Sequence, residues 1–338
     1  MQLQKTSSSS KLVKRSTRIS QVGILFDDSL TPEQLEQATE YFEVVLPMAP
    51  EHSLRSYDDG LMIYREYCVR HGRKMVETDL RSLRKTLTGY LYWLVERGNR
   101  KSTISNRIST VVALMHICDL PNLFKTNKIL KDLKRNIFKQ LSGWQKQAEA
   151  VELELIDRVN EEFIVESARD LRDLAIINTM YDGLLRSNEL QNVHLEHINT
   201  EKNTLFLPTS KGDKENVGTE REIFSTSINL INEWCNEMEI TSGPVFLPLH
   251  AKGKRLLIDK DKNLLPPLSG RHIQRIVKRI VQEVTGESIG FSSHSMRVGK
   301  ARTLFKHGVS AESIALKGGW TSVDMVMKYC RNISLSDL

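Results

Sequence analysis

Residues 318–332 read GGWTSVDMVMKYCRN, a glycine pair and a tryptophan leading into a segment where Val323, Val326 and Cys330 recur on one side. That spacing predicts a short amphipathic helix. On periodicity alone Tyr329 packs beside this apolar face. Whether it is instead a reactive phenol depends on what other segments bring to it.

The stretch just upstream, FSSHSMRVGKARTLFKHGVS at 291–310, predicts a helix with Ser292 or Ser293 as N-cap. Its apolar stripe runs Val298, Ala301, Leu304, Phe305 towards a stop at Gly308. His294 and Arg297 are three apart, share the first turn and are expected to point to the buried side with that stripe. A helix N-terminus offers free N–H groups and a positive dipole end, and an arginine fork beside it strengthens the attraction for a phosphate. A local salt-bridge network is the plainer alternative.

Two further cations carry the same ambiguity. In NTMYDGLLRSNELQNVHLEHI (178–198), Arg186 follows the apolar pair Leu184–Leu185, with Glu189 three residues on. A simple Arg186–Glu189 ion pair is the first reading. NTLFLPTSKGDKENVGTEREIFS (203–225) predicts two short strands around a polar loop, with Lys211 and Lys214 in the turn, where lysines are ordinarily solvated.

The rest of the chain sets the frame. Of 338 residues 40% are hydrophobic, enough for two domains. Residues 21–60 hold one Lys or Arg against nine acids, whereas 61–146 hold eighteen against six. A basic block with a globular pattern suits a surface that follows a phosphate backbone, and a lysine-rich solvated face is the alternative. Four cysteines without a CxxC pair fit neither a zinc site nor a disulfide framework, and a reducing compartment is expected. No apolar run approaches the roughly 20 residues that span a bilayer, which predicts a soluble protein.

The organisation expected is a disordered basic arm at 1–30, a helical domain at 31–141, a linker at 142–150 and a second, mostly helical domain with a small sheet at 151–338. An organelle transit peptide is the alternative for the arm. In the first domain DLRSLRKTLTGYLYWLVERGN and KSTISNRISTVVALMHICDL each open near a capping residue, and HSLRSYDDGLMIYREYCVRHG repeats Leu61, Tyr64 and Cys68 at i, i+3, i+7. There is no internal repeat.

Taken together, Arg186, a hairpin Lys211, the HxxR of His294 and Arg297, and a GGW at Trp320 with a tyrosine nine residues later resemble the tyrosine recombinase (phage integrase) family. HSMRVGKA, GGWTSVDMVMKY and YDGLLRSNEL are similar to segments of its Cre-type members, and the likeness runs through nearly the whole chain after the arm. It implies a mainly α, two-domain clamp on DNA, a helical core-binding (SAM-like) domain followed by an α+β catalytic domain. It also implies the roles. Tyr329 is the nucleophile, Arg186 and Arg297 clamp the phosphate oxygens, His294 and Trp320 donate to them, Lys211 protonates the leaving 5′ oxygen, and Glu189 orients its neighbours. Lys214 is the rival to Lys211.

No metal or other cofactor is expected, because bidentate arginines can neutralise the charge of a five-coordinate phosphate. The resemblance extends to DNA contacts. Ser102, Thr103, Asn106 and Arg107 are expected on a helix in the major groove, with His52, Ser53, Arg55 and Ser56 as weaker contacts. Arg271, Gln274 and Lys278 form a polar stripe opposite Ile273, Ile276 and Ile280, with Arg271 as a base reader. The partners implied are double-stranded DNA with an inverted-repeat site and three further copies of the chain, in a bacterial, phage or plasmid setting and a cytoplasmic location. Nine residues follow Tyr329, whereas family members generally continue into a further helix that docks on a neighbour. A type IB topoisomerase, a telomere resolvase and a non-catalytic DNA-binding regulator are the alternatives.

Overall fold

Short polar side chains start three helices of the first half. Thr31 opens α1 (Pro32–Glu40) through a reciprocal capping box with Gln34, and the chain winds on through Tyr41–Val45 and Leu46–Met48. α2 (Glu51–Arg70), α3 (Leu80–Glu96), α4 (Lys101–Ile117), α5 (Leu123–Thr126) and α6 (Lys128–Gln140) follow. The Asp79 carboxylate accepts from the Arg81 and Ser82 N–H groups at the head of α3. Asn127 does the same for Ile129 and Leu130 at α6. Each such cap contributes about 1 kcal/mol by pairing donors the helix leaves open. α4 differs from expectation: Arg100 occupies its cap position without a side-chain bond, so Ser102 lies inside the first turn.

This computed structural model describes residues 30–141, 147–210, 215, 217–250 and 268–334. The chain divides into two units between Gln145 and Lys146; the basic arm, and residues 142–146 of the expected linker, lie outside the described residues.

In the first unit, Leu61, Tyr64 and Cys68 are buried. The Tyr64 ring meets Tyr90 edge-on, 4.8 Å between centroids, while its hydroxyl donates to the Met75 carbonyl at 3.0 Å. The ring therefore joins α2 to α3 without stranding its polar end. Gly60 marks the close approach of α2 to α4, where a Cβ would stand 2.3 Å from Thr110 Oγ1. α4 turns Ile104, Ile108 and Val111 inward.

The second unit comprises α7 (Leu153–Glu162), α8 (Ala168–Asp182), α9 (Ser187–Gln191), three strands, α10 (Ser225–Glu237), α11 (Gly270–Thr285), α12 (His294–Lys306), α13 (Ala311–Gly318) and α14 (Val323–Cys330). The strands β1 (Ile198–Asn199), β2 (Thr204–Leu207) and β3 (Thr219–Glu222) form one antiparallel sheet in that order. The expected hairpin thus gains a third strand, whose two residues are too few to show a period. α8 is the hub, buried continuously from Arg172 to Tyr181. Its one buried arginine is fully paired: Arg172 Nε donates to Asp173 Oδ1 at 2.8 Å and Nη1 to the Leu247 carbonyl at 3.0 Å, while Arg279 holds the other Asp173 oxygen at 2.8 Å.

A smaller core of Leu184, Val298, Ala301, Ile314, Val326 and Tyr329 binds α12, α13 and α14 together. Contact here is tight. A Cβ on Gly299 would stand 1.6 Å from the Val151 carbonyl oxygen. Among the described residues no helix is long and apolar enough to cross a membrane.

Candidate active site

After α8 ends, Leu184 rather than Gly183 takes the left-handed conformation, with φ 52°. That costs a non-glycine residue about 1–2 kcal/mol, offset here because the Leu184 side chain is buried and its carbonyl accepts from Arg297 Nη1. The turn delivers Arg186 to the N-cap of α9. Its backbone N–H donates to Glu189 Oε2 at 2.8 Å and its Nη1 to Oε1 at 2.6 Å. The ion pair read as the simplest possibility is therefore present. Glu189 is almost fully buried, whereas 23% of the Arg186 side chain remains exposed, so the carboxylate holds the arginine while part of the guanidinium stays accessible.

Arg297 is completely buried. Besides Leu184, it donates from Nη2 to the Gly318 carbonyl at 2.5 Å, and its guanidinium carbon lies 3.8 Å from the centroid of the Trp320 ring. The helix α12 and the GGW turn are thus tied through one side chain. Burial first, and then the Arg186 charge, push Arg297 down to about 9. Surplus positive potential of this kind is relieved by an anion.

Tyr329, 6% exposed on α14, has its hydroxyl 3.0 Å from His294 Nε2. Its ring meets both His294 and Trp320 edge-on. Of the two candidate caps for α12, Ser292 makes the bond, its Oγ accepting the His294 N–H at 3.3 Å; Ser293 is already helical and makes none. His294 corrects one expectation. It opens the helix and leaves much of its surface exposed, although its Nε2 turns inward to Tyr329, while Arg297 one turn later is wholly buried. Desolvation of the ring, then the Arg297 and Arg186 charges, hold His294 below its ordinary proton affinity.

The structure therefore brings Arg186, Glu189, His294, Arg297, Trp320 and Tyr329 together. Lys211 and Lys214 lie outside the described residues. Arg271, Gln274 and Lys278 are exposed on α11, opposite the buried Ile273, Ile276 and Ile280. In the first unit, Ser102 and Thr103 are half-buried, Asn106 exposed and Arg107 half-buried in the first turns of α4. His52, Ser53, Arg55 and Ser56 fall in the first turns of α2, with Ser53, Arg55 and Ser56 exposed.

One buried cation next to the site was missed. Arg221 on β3 is buried beside Gly319. Its signal was the strand period: it alternates with exposed Glu220 and Glu222 and shares the inward phase of Ile223, so a charge occupies an apolar position.

Residues 148–334, more than half of the chain, match the phage integrase family. The chain belongs to that family. Recombinase cre of Escherichia phage P1 is 23% identical over 299 residues, covering 84% of each chain. An integrase/recombinase XerD homolog of Selenomonas ruminantium is 23% identical over 291 residues, covering 82% of this chain and 81% of that one. Among solved structures, the XerH site-specific recombinase bound to difH in a pre-cleavage complex superposes with a TM-score of 0.60 at 14% identity, covering 97% of this chain and 95% of that one. The Tn1549 transposon integrase with transposon right end DNA also reaches 0.60, at 12% identity over 89% and 96%. This integrase-family chain shares their mainly α fold with its small antiparallel sheet.

Proposed function

We propose that this chain is a site-specific DNA recombinase that cuts and rejoins strands through Tyr329. The observation that carries the reading is the Tyr329 hydroxyl held against His294 Nε2 at 3.0 Å, beside Arg186, which Glu189 holds, and the buried Arg297. A free phenol has a pKa near 10, so it needs a base or a cationic neighbourhood to attack.

In this reading the Tyr329 oxygen bonds to the scissile phosphorus as the bond to the 5′ oxygen breaks. His294, neutral before reaction, accepts the phenol proton, and as imidazolium it donates to a phosphate oxygen. Lys211 gives a proton to the departing 5′ oxygen. Arg186, Arg297 and Trp320 donate to the phosphate, fixed donors that need no reorganisation as charge develops. The product is a 3′-phosphotyrosyl link and a free 5′-hydroxyl. Attack by a second strand's 5′-hydroxyl reverses the proton transfers and reseals the backbone without ATP. Successive exchanges pass through a Holliday junction, with four protomers on two inverted-repeat sites. The α4 and α11 contacts supply recognition of double-stranded DNA in a bacterial, phage or plasmid replicon.

Selection on random duplex DNA would supply a site, and a nicked version of it would trap the covalent product. Wild-type protein is expected to accumulate the adduct and, on two intact sites, to yield recombinants. Relaxation of supercoils without site dependence would replace this reading with a topoisomerase; site binding with no adduct would replace it with a regulator.

A further inference from the structure

Arg221 sits in β3 directly opposite Leu205 in the register, on the face that also buries Leu207. It is 4% exposed, and neither its Nε nor its Nη2 has a hydrogen-bond partner among the described residues. Arg172 shows what a structural buried arginine looks like in this protein: a carboxylate and a carbonyl meet its donors. A desolvated cation with open donors is costly, and folds keep such groups where something else supplies the partner.

Its surroundings indicate what that partner is. Nη2 lies 2.4 Å from where a Cβ on Gly319 would stand, so the second glycine of the GGW turn is what leaves it room. The preceding Gly318 carries the carbonyl that holds Arg297. Lys317 grips Glu222 at 2.8 Å, fastening β3 to the same turn. Burial lowers the proton affinity of Arg221; Glu189 offsets this and Arg186 adds to it. Glu189 is bonded to Arg186 alone, and its charge reaches Arg221 and Arg297 only through space, so three guanidinium groups stand near one carboxylate, an excess of two positive charges. A phosphodiester attacked by a phenolate carries two negative charges in its five-coordinate state. Arg186 and Arg297 with Glu189 are a fixed charge of only one; the His294 imidazolium adds to it only once the phenol proton has moved, so a third fixed guanidinium would meet the charge as it develops.

We propose that Arg221 is a third guanidinium of the phosphate site, its open Nε and Nη2 donors taking up the second charge that develops during strand cleavage. This rests on the recombinase reading above. The rival is a hydrated structural arginine, since a cavity of about 120 Å³ adjoins it, bordered also by Asp182, Lys300 and Lys317.

The test is single-turnover adduct formation on nicked duplex carrying either the normal scissile phosphodiester or a neutral methylphosphonate. Arg221→Met keeps the stem and removes the charge. It is expected to cut the phosphodiester on the order of 100-fold more slowly, with the deficit shrinking to about threefold or less on the methylphosphonate, where one charge is already gone. A rate within about twofold of wild type on the phosphodiester, or an equal deficit on both substrates, overturns the proposal. Arg221→Lys carries the same comparison should the Met variant fail to fold. A single ammonium lacks the two-donor fork, so a slowing of about tenfold is expected, and a wild-type rate overturns the proposal. Wild-type protein that forms no adduct on either substrate sinks the recombinase reading itself, and the Arg221 inference falls with it.

Discussion

The Tyr329 hydroxyl and His294 Nε2 stand 3.0 Å apart, and the histidine is held below its ordinary pKa of 6.5 by desolvation and then by Arg297 and Arg186. It therefore stays neutral into mildly acidic solution. Adduct formation should fall along an acid limb whose midpoint lies below 6.5. His294→Gln does not titrate, so the limb should flatten while the plateau drops on the order of 100-fold. A limb unchanged in the variant would assign it to another group.

The same depressed value has a sign for stability. Below 6.5 the unfolded histidine binds a proton that the folded one refuses, so stability is lost as pH falls from 6.5 towards the folded value. Urea unfolding of His294→Gln should show a shallower loss over that window than wild type.

Arg297→Lys should be both inactive and less stable. An ammonium cannot reach the Leu184 and Gly318 carbonyls together or stack on Trp320 as the guanidinium does. The loss is expected at about 2 kcal/mol by urea titration. Unchanged stability would mean these contacts merely offset the cost of burying the cation.

Arg221→Met is expected to have the opposite effect on the DNA-free protein. Removing a desolvated cation whose Nε and Nη2 have no hydrogen-bond partner among the described residues should leave stability unchanged or raise it by about 1–3 kcal/mol. A clear fall would mark the arginine as structural.

Two glycines separate fold from chemistry. Gly299→Ala drives a Cβ into the Val151 backbone, which cannot yield easily, and should cost about 3 kcal/mol. Gly319→Ala, at φ 62°, strains a left-handed residue by about 1 kcal/mol and displaces the Arg221 side chain. Its cleavage rate should therefore fall further than its stability does.

The sequence revealed most where side chains repeat over several turns. The stripe of Ile273, Ile276 and Ile280 on α11 and the inward face of Leu61, Tyr64 and Cys68 on α2 needed only periodicity. Arg186, Arg297 and Tyr329 stood out only as a set, because a lone buried arginine or helix tyrosine has a plain packing reading. β1 escaped because two residues carry no period. Arg221 escaped because three charged residues in Glu220–Arg221–Glu222 look like a solvated edge; the shared phase with Ile223 was its one signal, and the register opposite Leu205 bears that phase out. The exposure of His294 was misjudged because a helix's first residue lacks the preceding turn that would cover it.

The central claim is that Tyr329 carries the DNA. Digesting the trapped adduct and sequencing the nucleotide-linked peptide by mass spectrometry tests it most directly. The expected result is a 3′-phosphate on the peptide containing Tyr329 and no adduct from Tyr329→Phe. A nucleotide on any other residue, or an adduct that persists in the phenylalanine variant, would contradict the account.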